Sequence, residues 1–245
     1  MRRLLSKMTS NASVRRFAPL KESLRGTSSD APMLRGVVFD MDGTLCIPQT
    51  YMFGQMRDAL GITKSVDILD HIESLPPQDQ STALTAIRNI ESEAMKSQTP
   101  QPGLSKLMDF LDSHRIPKAI CTRNFDVPVQ NLLTTFLPGS HFDPIVTRDF
   151  KPPKPDPAGI LHIAKSWGMV EGSEKGDASG LIMVGDSIDD MTAGRKAGAA
   201  TVLLVNNVNR HLVDHEHTDL VIESLDELAT VLEEGFEGRQ MEVPQ

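Results

Sequence analysis

The sequence predicts an α/β fold: a doubly wound parallel sheet with a small α-helical cap. From Leu34 onward, short apolar runs alternate with amphipathic stretches, which is the pattern of a parallel sheet covered by helices. The length of 245 residues suits one large domain or one domain that carries a smaller one. Residues 48–99 interrupt the alternation, because they contain no β-branched run and predict two or three helices.

Composition and charge exclude several classes of protein. The longest apolar runs, such as residues 181–184 and 199–205, are far shorter than the roughly 18 to 20 residues that cross a bilayer, so a membrane span is not expected. Two cysteines, Cys46 and Cys121, cannot build a disulfide scaffold or a four-cysteine zinc site, which favours a reducing compartment. A net charge of −8 argues against nucleic-acid binding. A small molecule is the expected partner, and the oligomeric state cannot be inferred.

The amino-terminal segment differs in charge from the rest of the chain. Residues 1–32 contain seven basic and two acidic residues together with several serines. This composition fits a mitochondrial transit peptide, but a solvated disordered arm is the favoured interpretation. The expected compartment is therefore the cytoplasm, with the mitochondrial matrix as the alternative. The expected divisions are a basic tail at 1–33, the α/β core at 34–47 and 100–236, the cap at 48–99 and a carboxy-terminal tail at 237–245.

The core elements follow from hydrophobic periodicity. The predicted strands span residues 36–39, 118–121, 144–146, 181–184, 200–204 and, as a shorter one, 220–222. The predicted helices span residues 104–114, 127–136, 157–167, 188–197 and 224–233. The glycine-rich residues 172–180 predict a solvent loop. Because the insert at 48–99 cannot join the sheet, we expect it above the strand ends, where open α/β sheets bind ligands.

Two carboxylates end the first predicted strand. Asp40 and Asp42 are two residues apart, so in an extended segment both side chains face the same way and can enter one pocket. Gly43 then permits a tight departure of the chain. An ordinary Asp-Gly turn is the simpler interpretation, but it does not account for Thr44 and the three apolar residues before Asp40.

Two further stretches supply groups that can bind an anion. The predicted strand 118–121 is followed by Thr122, Arg123 and Asn124, a hydroxyl, a guanidinium and an amide that can all donate hydrogen bonds to phosphate oxygens. Lys154 lies among prolines that fix the backbone around it, which suits a lysine directed at one point. A plain strand end and a proline-stiffened basic linker are the alternatives.

A second cluster of acids follows the predicted strand 181–184. Asp186 lies at the end of this strand, and Asp189 and Asp190 fall in the first turn of the next helix, where negative charge is favoured. Helix capping by Asp186 or Ser187 would explain one acid, but not three beside a buried strand.

Taken in order, these four stretches resemble the motifs of the haloacid dehalogenase superfamily of hydrolases over residues 34–222. The helical insert resembles the cap of the subgroup in which the cap lies between the first two motifs. The sequence as a whole resembles fungal members. The resemblance implies a Mg²⁺-dependent phosphatase that acts on a small phosphorylated metabolite. Asp42 favours phosphate chemistry, because members that cleave carbon–halogen bonds lack the second aspartate.

The resemblance also implies a role for each motif residue. Asp40 would attack the phosphate monoester and become an aspartyl phosphate, and Asp42 would act as general acid and base. Thr122 and Lys154 would hold the phosphoryl group, with Arg123 and Asn124 as further phosphate-binding candidates. The implied Mg²⁺ ligands are Asp40, the backbone carbonyl of Asp42, Asp186 and Asp190, the last as a ligand or a near neighbour.

Several points stay open at the level of sequence. Arg123, which stands before Asn124 in the second motif, either contacts substrate or pairs with a carboxylate of the body. Which of Asp189 and Asp190 assists the metal is not fixed, although motif spacing favours Asp190. The residues that begin the cap either line the pocket or form its core: Tyr51, Met52, Phe53, Met56 and Arg57. A phosphomutase with the same chemistry and a non-catalytic binding or regulatory protein are the alternative functions.

Overall fold

A six-stranded parallel sheet forms the centre of the structure. The computed structural model describes residues 14–27, 31–172 and 175–239. In chain order the strands are β1 (Arg16–Phe17), β2 (Gly36–Phe39), β3 (Lys118–Cys121), β4 (Ile145–Val146), β5 (Val170–Glu171), β6 (Lys175–Gly176), β7 (Leu181–Gly185), β8 (Ala200–Leu204), β9 (Leu220–Ile222) and β10 (Phe236–Glu237). The central sheet has the order β4-β3-β2-β7-β8-β9, and every pair in it is parallel.

Helices cover both faces of this sheet and form a separate group above its edge. They are α1 (Tyr51–Leu60), α2 (Ile68–Ser74), α3 (Pro77–Met95), α4 (Leu104–Ser113), α5 (Asp126–Phe136), α6 (Ala158–Ser166), α7 (Ile188–Ala197) and α8 (Leu225–Glu234). The predicted doubly wound sheet is confirmed, and the predicted strands and core helices begin and end within one residue of those observed.

Alternate residues of each central strand enter opposite halves of the core. In β2, Val37 and Phe39 pack with the apolar faces of α4, α5 and α8, whereas Val38 packs with α6 and α7. The period of two places these side chains on both faces of a sheet that is covered on both sides, which explains why the strand is apolar throughout.

The insert between β2 and β3 forms three helices, α1 to α3, which we call the cap. These helices bury their own apolar cluster, which includes Met56 and Ile87, and the core contributes Phe125 to it. The longest described helix, α3, has 19 residues. No helix in the described ranges combines the length and apolar character needed to cross a membrane.

The amino-terminal segment differs from its prediction. A disordered arm over residues 1–33 is wrong for residues 16–27, because β1 pairs with β10 and a 3₁₀ helix follows at Glu22–Thr27. Phe17 and Leu20 are buried in the main core, and this apolar contact holds the segment on the body. The targeting interpretation concerns residues 1–13 and 28–30 as well, and these lie outside the described residues.

Two smaller predictions also need correction. A tail from residue 237 is wrong for residues 237–239, because Glu237 belongs to β10 and Arg239 donates hydrogen bonds to the carbonyl oxygens of Thr218 and His215. Residues 240–245 lie outside the described part of the chain. The loop predicted at 172–180 contains β6, which pairs with β5, and a fully buried Ala178 that packs in the core, while residues 173–174 are not described.

Candidate active site

A cavity of about 380 Å³ lies between the carboxyl ends of the central strands and the cap. Parallel strands end at one edge of a sheet, so the polar residues that follow them converge there. The cavity is lined by every catalytic, phosphate-binding and metal-binding candidate of the sequence analysis and by Phe53, Met56 and Arg57 of α1, but not by Tyr51 or Met52. The candidates at the strand ends are Asp40, Asp42, Thr122, Arg123, Asn124, Lys154, Asp186, Asp189 and Asp190.

The most buried charges of the cavity form one group. Lys154 Nζ donates to Asp40 Oδ1 at 2.6 Å and to Asp190 Oδ1 at 2.5 Å, and all three side chains are almost completely buried. Burial alone would lower the pKa of Lys154, but the carboxylates of Asp190 and Asp40 raise it, so the lysine stays charged. Burial raises the pKa of Asp40 to about 7, with the attraction of Lys154 opposing this shift. The single positive charge of Lys154 is therefore shared by two carboxylates.

Asp186 adds a third carboxylate at the end of β7. Its oxygen and those of Asp40 and Asp190 lie within 4.8 Å of one another. Burial, followed by repulsion from Asp190 and Asp40, raises the pKa of Asp186 to about 8. Three carboxylate oxygens this close, with one lysine between two of them, match the hard oxygen ligands that Mg²⁺ takes in proteins. The donor set therefore fits a divalent cation, whose charge would offset the remaining repulsion.

The residue after Asp42, Gly43, lies against the carboxylate of Asp186. Gly43 has φ +82°, a left-handed conformation, and a Cβ built on it would overlap the side chain of Asp186. A glycine is thus required here both by the turn and by the close approach of Asp186. On its other side Asp186 Oδ2 accepts a hydrogen bond from Asn206 Nδ2 at 3.0 Å.

Asp42 is held by two hydrogen bonds. Asn124 Nδ2 donates to Asp42 Oδ2 at 2.7 Å, and Cys46 Sγ donates to Asp42 Oδ1 at 3.4 Å. Burial raises the pKa of Asp42, while these two hydrogen bonds oppose the shift. A carboxyl group with a raised pKa keeps its proton to higher pH and can then donate it, which suits a general acid.

The residues that follow β3 differ in what they contact. Thr122 is buried at the strand end, and its Oγ1 accepts a hydrogen bond from the backbone N–H of Asn124 at 3.2 Å. Arg123 Nη1 donates to Asp189 Oδ2 at 2.6 Å, and Arg123 Nη2 donates to Asp67 Oδ2 at 2.7 Å. Arg123 therefore pairs with carboxylates of both body and cap. Asp189 is occupied by this pairing, whereas Asp190 is the acid that joins the carboxylate cluster.

Sequence reasoning missed a buried ion pair beside the pocket. Arg148 Nη2 donates to Glu91 Oε1 of α3 at 2.5 Å, and the Arg148 guanidinium lies over the Phe125 ring at 4.1 Å. Arg148 follows β4 at the same sheet edge, a position that could have marked it as a pocket residue. Glu91 gave no such signal, since an acid within a solvated helix is ordinary. Asn206, which follows β8, was missed although it too follows a strand end.

Comparison with known proteins gives consistent results. A family model described as haloacid dehalogenase-like hydrolase matches residues 34–198. An uncharacterized hydrolase of Saccharomyces cerevisiae is 47% identical over 204 residues, which cover 82% of this chain and 90% of that protein. A haloacid dehalogenase-like hydrolase domain-containing protein of Arabidopsis thaliana is 34% identical, with 86% and 89% covered.

More distant proteins extend the comparison. A phosphoglycolate phosphatase of Nitrosococcus oceani is 27% identical over 222 residues, which cover 80% of this chain and 95% of that protein. The crystal structure of a hydrolase from Pseudomonas syringae superposes with a TM-score of 0.67 at 22% identity, covering 82% of this chain and 98% of that one. At that identity the likeness shows the fold alone.

Proposed function

The chain belongs to the haloacid dehalogenase-like hydrolases, and from this premise we propose that it is a Mg²⁺-dependent phosphatase of small phosphomonoesters. The observation that carries the proposal is the buried group of Asp40, Lys154 and Asp190 beside Asp186. A carboxylate can attack a phosphate dianion only where nearby positive charge offsets their repulsion. This group supplies one such charge and the ligands for another.

Asp40 is the proposed nucleophile. One of its carboxylate oxygens forms a bond to phosphorus while the bond from phosphorus to the substrate oxygen breaks, giving an aspartyl phosphate and an alcohol. Lys154 favours the ionised form of Asp40 through the hydrogen bond at 2.6 Å. The same lysine, with the Thr122 hydroxyl at the end of β3, is placed to hold the transferring phosphoryl group.

Asp42 is the proposed general acid and base. Protonated Asp42 donates to the departing oxygen, and the resulting carboxylate then takes a proton from the water that attacks phosphorus. The bond from phosphorus to Asp40 breaks in this second step, which releases inorganic phosphate and restores both aspartates. Asn124 and Cys46 fix the orientation of the Asp42 carboxyl in both steps.

Asp40, Asp186 and Asp190 are the proposed Mg²⁺ ligands, with the backbone carbonyl of Asp42 as a further one. When bound, the ion supplies positive charge to the phosphoryl oxygens and so lowers the barrier to attack by a carboxylate. We also propose that the cap selects the substrate, because its α1 and α2 line the side of the cavity opposite the strand ends. A phosphoglycolate phosphatase among the relatives supports a small phosphorylated metabolite.

The test is phosphate release from a panel of small phosphomonoesters, with Mg²⁺ and with chelator. Wild type is expected to turn over at least one ester only with Mg²⁺, and Asp40→Asn is expected to lose about a thousandfold or more of that rate. Asp109→Asn, which alters an exposed aspartate on α4, is the matched control and should keep wild-type turnover. Acid quenching during turnover should trap phosphate on the peptide that contains Asp40.

Two results would contradict the proposal. Turnover that persists in Asp40→Asn would exclude this aspartate as the nucleophile. Transfer of the phosphoryl group between two hydroxyls of a sugar phosphate, with no release of inorganic phosphate, would indicate a phosphomutase instead.

A further inference from the structure

Three arginines line the cavity, and they differ in what neutralises them. Arg123 pairs with two carboxylates, and Arg148 pairs with Glu91. Arg57, which comes from the cap helix α1, has no ion-pair partner among the residues that the structure describes. Among the described residues, Arg57 is therefore the cavity arginine whose charge has no carboxylate partner.

The hydrogen bonds of Arg57 are also incomplete. Its Nη1 donates to the carbonyl oxygen of Phe53, one turn earlier in α1, at 3.2 Å. Its Nε is buried and finds no hydrogen-bond partner within the described part of the chain. A buried donor without a partner costs free energy, so the fold retains this arrangement at some expense to stability. An anion that enters the cavity can supply the missing negative charge beside the guanidinium.

The cavity has room for more than a phosphoryl group. Its volume of about 380 Å³ lies within the usual range for small-molecule sites. The phosphoryl position is on the side of Asp40 and Lys154, whereas Arg57 belongs to the opposite wall, together with Phe53 and Met56 of α1. A ligand that reaches from one wall to the other thus meets the phosphate-binding groups at one end and a guanidinium at the other.

We propose that Arg57 binds a second anionic group of the substrate, so that this enzyme selects phosphomonoesters that also carry a carboxylate or a second phosphate. This inference rests on the proposed function, whose phosphoryl site it extends. A guanidinium suits either anion, because its paired N–H groups match two oxygens of a carboxylate or a phosphate. Arg57 is a specificity-determining residue in this account and takes no part in the transfer of the phosphoryl group.

The alternative is that Arg57 only stabilises α1. It lies in the last turn of that helix, where a positive charge interacts favourably with the helix dipole. In that case its removal would weaken the binding of all ligands equally through a loosened cap. Selectivity between ligands with and without the second anion separates the two accounts.

The experiment measures binding of inert probes in the presence of Mg²⁺. Phosphonoacetate, methylenebisphosphonate and ethylphosphonate share a phosphonate on a CH₂ group and differ in whether a carboxylate, a second phosphonate or a methyl group follows it. Calorimetry is done on wild type, Arg57→Met, Arg57→Lys and Lys64→Met. Lys64→Met removes one positive charge from an exposed position of the same cap and is the matched control.

Wild type is expected to bind at least one of the two probes that carry a second anionic group about tenfold or more tightly than ethylphosphonate. Arg57→Met should reduce this ratio to near one, Arg57→Lys should retain part of it, and Lys64→Met should leave it unchanged. The tighter of the two probes identifies the second group as a carboxylate or a phosphate.

The inference is overturned if wild type binds ethylphosphonate as tightly as the other probes, if it binds none of them, or if Arg57→Met weakens all of them by the same factor. Phosphonates are not hydrolysed, so the result is independent of turnover. Selective binding without phosphatase activity would refute the proposed function and keep the role of Arg57. Phosphatase activity without selective binding would keep the proposed function and refute the role of Arg57.

Discussion

The two sides of the cavity, a floor at the strand ends and a roof at the cap, differ in how their charged residues are paired. At the floor, which we define as the strand-end residues Asp40, Asp42, Thr122, Lys154, Asp186 and Asp190, cation and acids pair within the protein. On the roof, the cavity-facing side of α1, Arg57 has no carboxylate partner in the described ranges. At the floor, Lys154 thus offsets the charge of two of the acids within the protein. The charge that we assign to ligand selection is left for the ligand to balance.

The cap is attached to the body by ion pairs of unequal burial. Arg148 and Glu91 are both buried, Arg123 and Asp67 are partly exposed, and Lys151 and Glu73 are exposed. A buried pair is costly to break from one side, because the remaining charge stays desolvated, whereas an exposed pair contributes little. The attachment of the cap should therefore depend mainly on Arg148 and Glu91.

Removing the lysine of the floor is expected to have the largest effect on activity. Lys154→Met leaves Asp40 and Asp190 without a counter-ion, so phosphatase activity should fall about a thousandfold or more. Lys165→Met, at an exposed lysine of α6, is the control and should keep wild-type kcat/KM. Thermal unfolding of both variants shows whether the chain is still folded. A folded Lys154→Met with near-normal kcat/KM would refute the role given to the floor.

Removing one partner of the buried ion pair between cap and body is expected to have the second largest effect. Glu91→Gln leaves the Arg148 guanidinium buried without a carboxylate, and unfolding should become easier by about 3 kcal/mol. Glu93→Gln, on the same helix but in an exposed pair with Lys96, should change stability by less than about 0.5 kcal/mol. Urea denaturation measures both. Equal effects of the two substitutions would show that burial does not distinguish these pairs.

The smallest effect, and the one that depends on pH, concerns Asp186. Its pKa in the folded chain is about 8 against an ordinary 3.8, so folding favours the protonated form. The stability that this group contributes is present below about pH 4 and is lost as the pH rises toward about 8. In metal-free protein, Asp186→Asn should therefore gain about 1 to 3 kcal/mol on wild type at about pH 8, and almost nothing at about pH 4.

Denaturation with chelator at the two pH values measures this gain, with Asp109→Asn as the control that should show none. Added Mg²⁺ should raise the Tm of wild type at about pH 8 and leave that of Asp186→Asn nearly unchanged. A metal-free Asp186→Asn that is less stable than wild type at the higher pH would contradict the repulsion described for the three carboxylates.

Much of the fold could be predicted because its signals are local. Each central strand is a continuous apolar run, and its polar residues follow at once, so Asp40 and Asp186 could be placed at one sheet edge without knowing any distance. The parallel order brings such ends together whatever the connecting segments are. The helices of the core repeat their apolar residues at helical spacing, which explains the agreement of their bounds.

The remainder depends on contacts between distant parts of the chain. Glu91 becomes significant only because α3 packs beside Arg148, and no pattern within α3 indicates that packing. Phe17 stands in a basic, serine-rich segment that predicts disorder, yet its ring lies 5.7 Å from that of Phe236 in the core. The partner of Arg123 was likewise left open between substrate and protein, since side-chain pairing is decided by the folded cap.

The order of strands has a consequence for how the protein is made. Strand β2 lies between β3 and β7, and its partner β7 is made after about three quarters of the chain. During synthesis the ribosome therefore releases Asp40 long before the acids that stand beside it in the finished structure. Such non-local pairing slows folding and leaves the apolar edge of β2 exposed to aggregation until β7 arrives. The strand that carries the proposed nucleophile thus stays unpaired on one side until most of the chain has been made.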